Sequence, residues 1–326
     1  MSPIESALTF ACHDEQLVGV LASPSTASTE IGVLILVGGP QYRAGSHRQF
    51  TLLARQLANR GYPTLRFDYR GMGDSSGSIR SFEEVDDDIA AALAAFQAGN
   101  PVVRQFVLWG LCDAASAALL YWQRTKDARI AGLCLLNPWV RSTETLARAQ
   151  VKHYYLQRLL QRAFWLKLSR GGVAIMPSVR EFLQKLTQLF ASGHGVAGPV
   201  SFQQRMRMGW DSFKGEILLT LSGQDLTAKE FLEHANSALD WQGLLTRPNI
   251  TRRDIPAADH TFSSALWRAE VENITADWLD EKFPSARHST ANPAVAIDEI
   301  TNPLPAVQPT ATDFAPYSGK VISDAK

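Results

Sequence analysis

Apolar residues run unbroken from Ile31 to Val37 and stop at Gly38-Gly39. That is the pattern of a strand covered on both faces. The period then changes: Phe50, Leu53 and Leu57 fall at helical spacing, and Gly61 closes the segment. From there strand and helix alternate. YPTLRFDYRG is strand-like, and SFEEVDDDIAAALAAF predicts a helix with Ser81 as its cap and acids in its first turn. QFVLWG, CDAASAALLYWQR and IAGLCLLNPW read as strand, helix and strand. Later come the strand GEILLTLSGQD, a helix near AKEFLEHANSAL, the strand NITRRDI and a last helix in SSALWRAEVENITADWLDEKF. The opening LTFACHDEQLVGVLAS fits an antiparallel hairpin. The alternation predicts an α/β fold, a mostly parallel sheet with helices on both faces.

Two segments break the alternation. Residues 140–214 interpose a helix-rich stretch in which Val151, Tyr155, Leu159 and Leu166 recur at helical spacing, the signature of an inserted lid. After Phe283 the chain holds 6 of its 16 prolines among many alanines and threonines. Such a composition buries no core and predicts a disordered extension. The expected organisation is therefore a core of residues 1–139 and 215–283, a helical lid at 140–214 and a tail at 284–326.

Charge and composition narrow the function. The 326 residues carry 32 basic and 32 acidic side chains, so no global attraction to nucleic acid or anionic membrane follows. No nucleic-acid-binding motif is recognised. No apolar run approaches the ~18 residues of a membrane span, and the N-terminus lacks a signal peptide's basic start and apolar core. The three cysteines, Cys12, Cys112 and Cys134, are far apart and without metal-ligand spacing. A reduced, cytoplasmic protein without disulfide, metal or cofactor is expected.

The candidate chemistry starts at Gly110-Leu111-Cys112-Asp113-Ala114. A nucleophile elbow turns sharply from strand to helix, so small residues must flank the nucleophile two positions away on each side. Cys112 then stands at a helix N-terminus, where the dipole favours a thiolate. A thiol nucleophile needs a base, and the base an orienting acid. Asp225 follows the strand LLTLS and His260 follows NITRRDI, so all three lie beyond strand C-terminal ends. Their order, nucleophile then acid then histidine, is that of the α/β-hydrolase fold. The bland readings are buried filler for Cys112, as accepted for Cys12 and Cys134, and helix capping for Asp225. Asp113 and Asp211 are weaker candidates for the acid.

For the oxyanion the backbone N–H of Asp113 is one expected donor. The loop GGPQYRAGSHRQF should supply the second; Pro40 has no N–H, which leaves Gly39 or Gln41. Asp113 itself carries a negative side chain beside the thiol and is expected to point away from it. Arg43 and His47 in that loop are candidates for binding an anionic substrate group. FDYRGMGDSSG is glycine-rich but matches neither nucleotide-binding fingerprint, so a tight turn in the pocket wall is expected. The lid segment carries twelve Lys and Arg against three acids, a net +9, with Tyr154, Tyr155, Phe164 and Trp165. A basic, aromatic lid fits an acyl group bearing phosphate or an anionic lipid surface; an ordinary solvated helix face reads the same.

GGPQYRAGSHRQF, FDYRGMGDSSG, WGLCDAAS, NPWVR with KHYYLQRL, and AADHTFS together resemble the exosortase A system-associated hydrolase, type 1, a family of α/β hydrolases. The resemblance spans about residues 5–283. It implies Cys112, Asp225 and His260 as nucleophile, acid and base, in a bacterial protein linked to an exosortase and exopolysaccharide system, and it supplies no substrate. A cysteine in this position also resembles polyester synthases, bile-acid acyltransferases and dienelactone hydrolases. The expected function is hydrolysis of a small-molecule ester or thioester. Acyl transfer from the same cysteine and non-catalytic binding on the same fold are the alternatives.

Overall fold

The computed structural model describes residues 2–26, 28–39, 41–141 and 200–284. Eight strands form one sheet: β1 (Ile4–Cys12), β2 (Glu15–Ser23), β3 (Ile31–Leu36), β4 (Thr64–Phe67), β5 (Gln105–Leu111), β6 (Ile130–Leu136), β7 (Glu216–Ser222) and β8 (Ile250–Ile255). Their spatial order is β1-β2-β4-β3-β5-β6-β7-β8. β2 runs antiparallel to both β1 and β4, and the rest of the sheet is parallel. β3 and β4 are buried throughout and β5 in all but its first residue, as their unbroken apolar runs require.

Among the described residues six helices cover the sheet: α1 (Gln49–Asn59), α2 (Asp86–Gly99), α3 (Asp113–Thr125), α4 (Phe202–Ser212), α5 (Leu226–Ser237) and α6 (Ala265–Lys282). α1 packs against α6, and α3 against both α2 and α4. Polar ties lock the first pair. Arg60 meets Asp277 at 2.5 Å and Asp280 at 2.8 Å, and the buried Tyr62 hydroxyl donates to Asp280 at 2.9 Å. This is the α/β-hydrolase fold.

One helix start departs from expectation. α2 begins at Asp86, with Val85 at its cap position and no side-chain cap; Ser81 sits in a turn, its carbonyl accepting the Glu84 N–H. The displaced start has a purpose in the packing. Asp88, fully buried in the first turn, accepts the backbone N–H of Arg70 at 2.8 Å and its guanidinium at 2.7–3.1 Å. The glycine-rich segment after β4 is thereby pinned to α2, and it holds no nucleotide-binding fingerprint.

Of the lid segment, Val140, Arg141 and residues 200–214 are described. α4 opens on a capping box between Ser201 and Gln204. Three of the segment's basic residues meet acids of the core: Arg141 with Glu230 at 2.5 Å, Arg205 with Glu83, and Arg207 with Asp240 at 3.3 Å. That part of the excess charge is matched within the fold. Val151, Tyr155, Leu159 and Leu166 lie outside the described residues, as does the tail from residue 285. Among the described residues no helix is long and apolar enough to cross a membrane.

Candidate active site

Strand order decides where a site can form. The chain leaves β3 for β4 on one side, while β5, β6, β7 and β8 follow on the other. Such a reversal opens a crevice beyond the strand C-termini. Register brings the ends level: Leu36 pairs with Gly110, Leu111 with Leu136, Leu136 with Thr220, and Ser222 with Ile255. The segments carrying Gly39, Cys112, Asn137, Asp225 and His260 therefore emerge along one edge.

Cys112 forms the corner between β5 and α3, with φ 64° and ψ −125°. A non-glycine residue at positive φ is held there only by its surroundings. Its N–H donates to Leu136 O at 2.8 Å; its carbonyl accepts the N–H groups of Ala115 at 3.1 Å and Trp139 at 3.2 Å. Gly110 makes the corner sterically feasible, since a Cβ there would lie 2.5 Å from the Ala114 carbonyl carbon. The thiol is half-buried, whereas Cys12 and Cys134 are buried; burial pushes the thiols of both up. Cys12 and Cys134 thus fit the filler reading, and Cys112 packs against the core with its thiol partly exposed.

Asp225 and His260 meet as their positions at strand ends imply. His260 Nδ1 lies 2.9 Å from Asp225 Oδ2. Asp225 also caps α5, accepting the N–H groups of Thr227 and Ala228 at 3.1 Å each, so one carboxylate both caps a helix and contacts His260. Burial pushes its carboxyl up, but His260 and these N–H groups outweigh it and hold it below the usual carboxylate range. The two loops are zipped together: Gly223 N donates to Ile255 O at 3.0 Å and Gln224 N to Ala258 O at 3.0 Å.

His260 is pushed up to about 10, first by Asp225, then by Cys112. Thiol and imidazole are therefore within each other's influence. The sign for stability follows from the raised value. His260 contributes fully below its ordinary 6.5, and the contribution fades as pH rises toward about 10. Urea titrations of wild type and His260→Gln across that window should show the stability gap between them closing with rising pH.

Sequence reasoning did not single out Asn137, which directly follows β6, between the end of β7 and the histidine loop. It is fully buried at φ 44°. Its amide oxygen accepts the Ser222 N–H at 2.8 Å, and its nitrogen donates to Ser222 Oγ at 2.8 Å and to the His260 carbonyl at 3.2 Å. One side chain thus fixes the end of β7 and the histidine loop. The signal was a polar residue closing the apolar run LCLL, of a type that tolerates the left-handed region. Asn137→Gly, which keeps the backbone conformation, should cost about 1–3 kcal/mol by leaving buried polar groups unpaired, measurable by urea unfolding.

In the loop after β3 two candidate groups already have partners. The Arg43 guanidinium pairs with Asp68, fully buried, and with Asp74 at 2.5 Å, and its N–H donates to Asp68 at 2.6 Å. The cation neutralises a carboxylate that the fold has removed from water. The Gly39 N–H does not stand free either. It donates to the Asp113 carboxylate, at 2.8 and 3.0 Å to its two oxygens. The Asp113 side chain thus turns toward the loop beside Cys112. Burial pushes that carboxyl up, opposed by the N–H groups of Gly39, Ala114 and Asp113 itself and by His260. The Gln41 side chain accepts the Ser46 N–H at 3.1 Å, while its backbone N–H has no partner among the described residues. His47 is exposed at φ 51°. Tyr154, Tyr155, Phe164 and Trp165 lie outside the described residues, and among those described no group of side chains is arranged to hold a metal.

The family described as serine aminopeptidase, S33, matches residues 32–188, a span that includes Gly39 and Cys112 but stops short of Asp225 and His260. No curated protein matches the sequence. Among solved structures, the chain is similar to the Pyrococcus furiosus esterase Pf2001 at 15% identity and TM-score 0.58, over 86% of this chain and 92% of that one. It is similar to Est1E from Butyrivibrio proteoclasticus, solved with ferulic acid, at 14% and 0.55, over 86% and 100%. A third is XC6422 from Xanthomonas campestris, described as an α/β serine hydrolase without lid, at 14% and 0.51, over 86% and 96%. At these identities the likeness is one of fold. Where a serine elbow reads G-x-S-x-G, this chain has Cys112, with Ala114 for the last glycine.

Proposed function

We infer that this chain is an acyl hydrolase, an esterase or thioesterase, with Cys112 as nucleophile, His260 as its base and Asp225 as the orienting acid. The observation that carries the reading is the 2.9 Å contact of His260 Nδ1 with Asp225 at the edge where Cys112 stands at a strained corner. The matched family and the esterase folds support hydrolysis as the reaction class.

In the proposed cycle His260 Nε2 takes the thiol proton as Sγ bonds to the acyl carbon, and the carbonyl π pair moves to oxygen. Collapse of that oxyanion breaks the bond to the leaving alcohol or thiol, which receives the proton from His260. The thioester so formed no longer offers the Cys112 thiol, one of the two groups whose contact raises His260. The imidazole, having passed its proton to the leaving group, then removes a proton from water. Hydroxide adds to the thioester, collapse releases the carboxylic acid, and the thiol is restored. A thioester is also open to amines and thiols, so product analysis with those acceptors decides between hydrolysis and transfer. The proposed source of the acyl group is a bacterial envelope or polysaccharide precursor, in keeping with the exopolysaccharide system that the resemblance implies.

Intact-protein mass spectrometry after mixing with pooled ester and thioester donors tests the reading. Wild type should gain one acyl mass and Cys112→Ala none. An adduct that persists in Cys112→Ala overturns the assignment.

A further inference from the structure

We propose that the Asp113 carboxylate fills the oxyanion pocket of the resting site, so that acylation of Cys112 requires this side chain to swing out. The inference rests on the acyl-hydrolase reading above and adds a gating residue to it.

Three observations converge on the pocket. First, the Gly39 N–H lies on the loop that crosses the crevice and points at the elbow, yet both oxygens of Asp113 take it, at 2.8 and 3.0 Å. Second, the N–H groups of Asp113 and Ala114 at the start of α3 are close enough to the same carboxylate to favour its charged form against burial. These are the donors an acyl oxygen would need: one from the residue after the nucleophile, one from the loop after β3. Third, the loop is shaped to admit the carboxylate. A Cβ on Gly38 would lie 2.5 Å from Asp113 Oδ1 and 2.5 Å from the Leu111 carbonyl, so only glycine lets the backbone come this close.

The occupant is an anion held by N–H groups, which is what a tetrahedral oxyanion would be. A neutral carbonyl oxygen is a poor rival for those donors, whereas the charge that develops on attack is a strong one. Burial raises the energy of the charged Asp113 side chain and eases its exit, while its hydrogen bonds oppose it. Donors that anchor elsewhere in the crevice use that binding to turn the side chain, and short donors meet the closed pocket. Asp113 touches the reacting site only until the acyl group arrives.

The test compares full-length wild type, Asp113→Ala and Asp113→Asn with two probes. p-Nitrophenyl acetate acylates Cys112 through the oxyanion pocket, and iodoacetamide alkylates the thiolate without forming an oxyanion. With the pocket vacated, Asp113→Ala should acylate about tenfold faster or more, within the ~10²-fold that one oxyanion donor is worth. Asp113→Asn should show a smaller gain, and alkylation should change by a clearly lesser factor than acylation in both variants. Equal gains with both probes would mean that only the charge beside the thiol matters, which overturns the gate. Slower acylation in both variants, partly restored in Asn, would make Asp113 a support for the loop and also overturn it. If no form is acylated while iodoacetamide still labels Cys112, the acyl-hydrolase reading fails and the gate with it. Asp113→Asn, nearly isosteric, keeps the test decisive should the Ala variant not fold.

Discussion

Cys112→Gly should be inert toward acyl donors and yet no less stable than the parent protein. The residue sits at φ 64°, where a side chain costs on the order of 1–3 kcal/mol. Glycine removes that strain and returns about 0.5–1 kcal/mol through the freer unfolded chain, for a net gain of about 0–2 kcal/mol. Cys112→Ala keeps the strain and loses only the sulfur, so the Gly variant should unfold at a higher urea concentration than the Ala variant. In both, turnover should fall by at least about 10³-fold, the scale for removing a nucleophile that acts with its base as a unit. A Gly variant less stable than the Ala variant would show that the corner is unstrained.

The largest loss of stability is expected from Asp88→Ala. Its carboxylate is fully buried and takes both the backbone and the guanidinium of Arg70, itself nearly buried. Removing one member of such a pair leaves an uncompensated charge and costs about 3–5 kcal/mol, a large share of the ~5–15 kcal/mol that holds a typical fold. The next acid, Asp87, stands 3.9 Å from Arg70 and is exposed, too loosely placed to replace it. Removing both charges together, as in Arg70→Met with Asp88→Ala, should recover most of the loss. Urea unfolding of the four proteins of this cycle gives the coupling directly. A loss under about 1 kcal/mol in Asp88→Ala would place the pair among ordinary surface contacts.

Much of the architecture was readable because it depends on runs of apolar residues. The strands β3, β5, β6 and β7 are buried on both faces and announce themselves as IGVLIL, FVLWGL, IAGLCLL and EILLTLS. The meeting of Asp225 with His260 was readable for a related reason: both follow strand ends, and parallel strands in register bring those ends to one edge. What the sequence hid are pairings between buried polar groups. Arg43 reads as an anion binder until Asp68 is found beneath it. Ser81 reads as a cap until Asp88 draws the helix start down to Arg70. The direction of the Asp113 side chain hangs on a Cβ missing from Gly38, 75 positions earlier, and no local pattern carries that information. Asn137 was passed over because a single asparagine after a strand resembles any turn residue. Its worth lies in contacts with residues 85 and 123 positions away.

The order of the parts along the polypeptide has a consequence for synthesis. The thiol and its loop belong to the first half of the chain, and the carboxylate and imidazole arrive only with β7, β8 and α6. While the ribosome is still translating the second half, the emerging protein carries a cysteine with no proton acceptor set beside it. On the proposed mechanism its chemistry switches on only when the C-terminal strands add to the sheet.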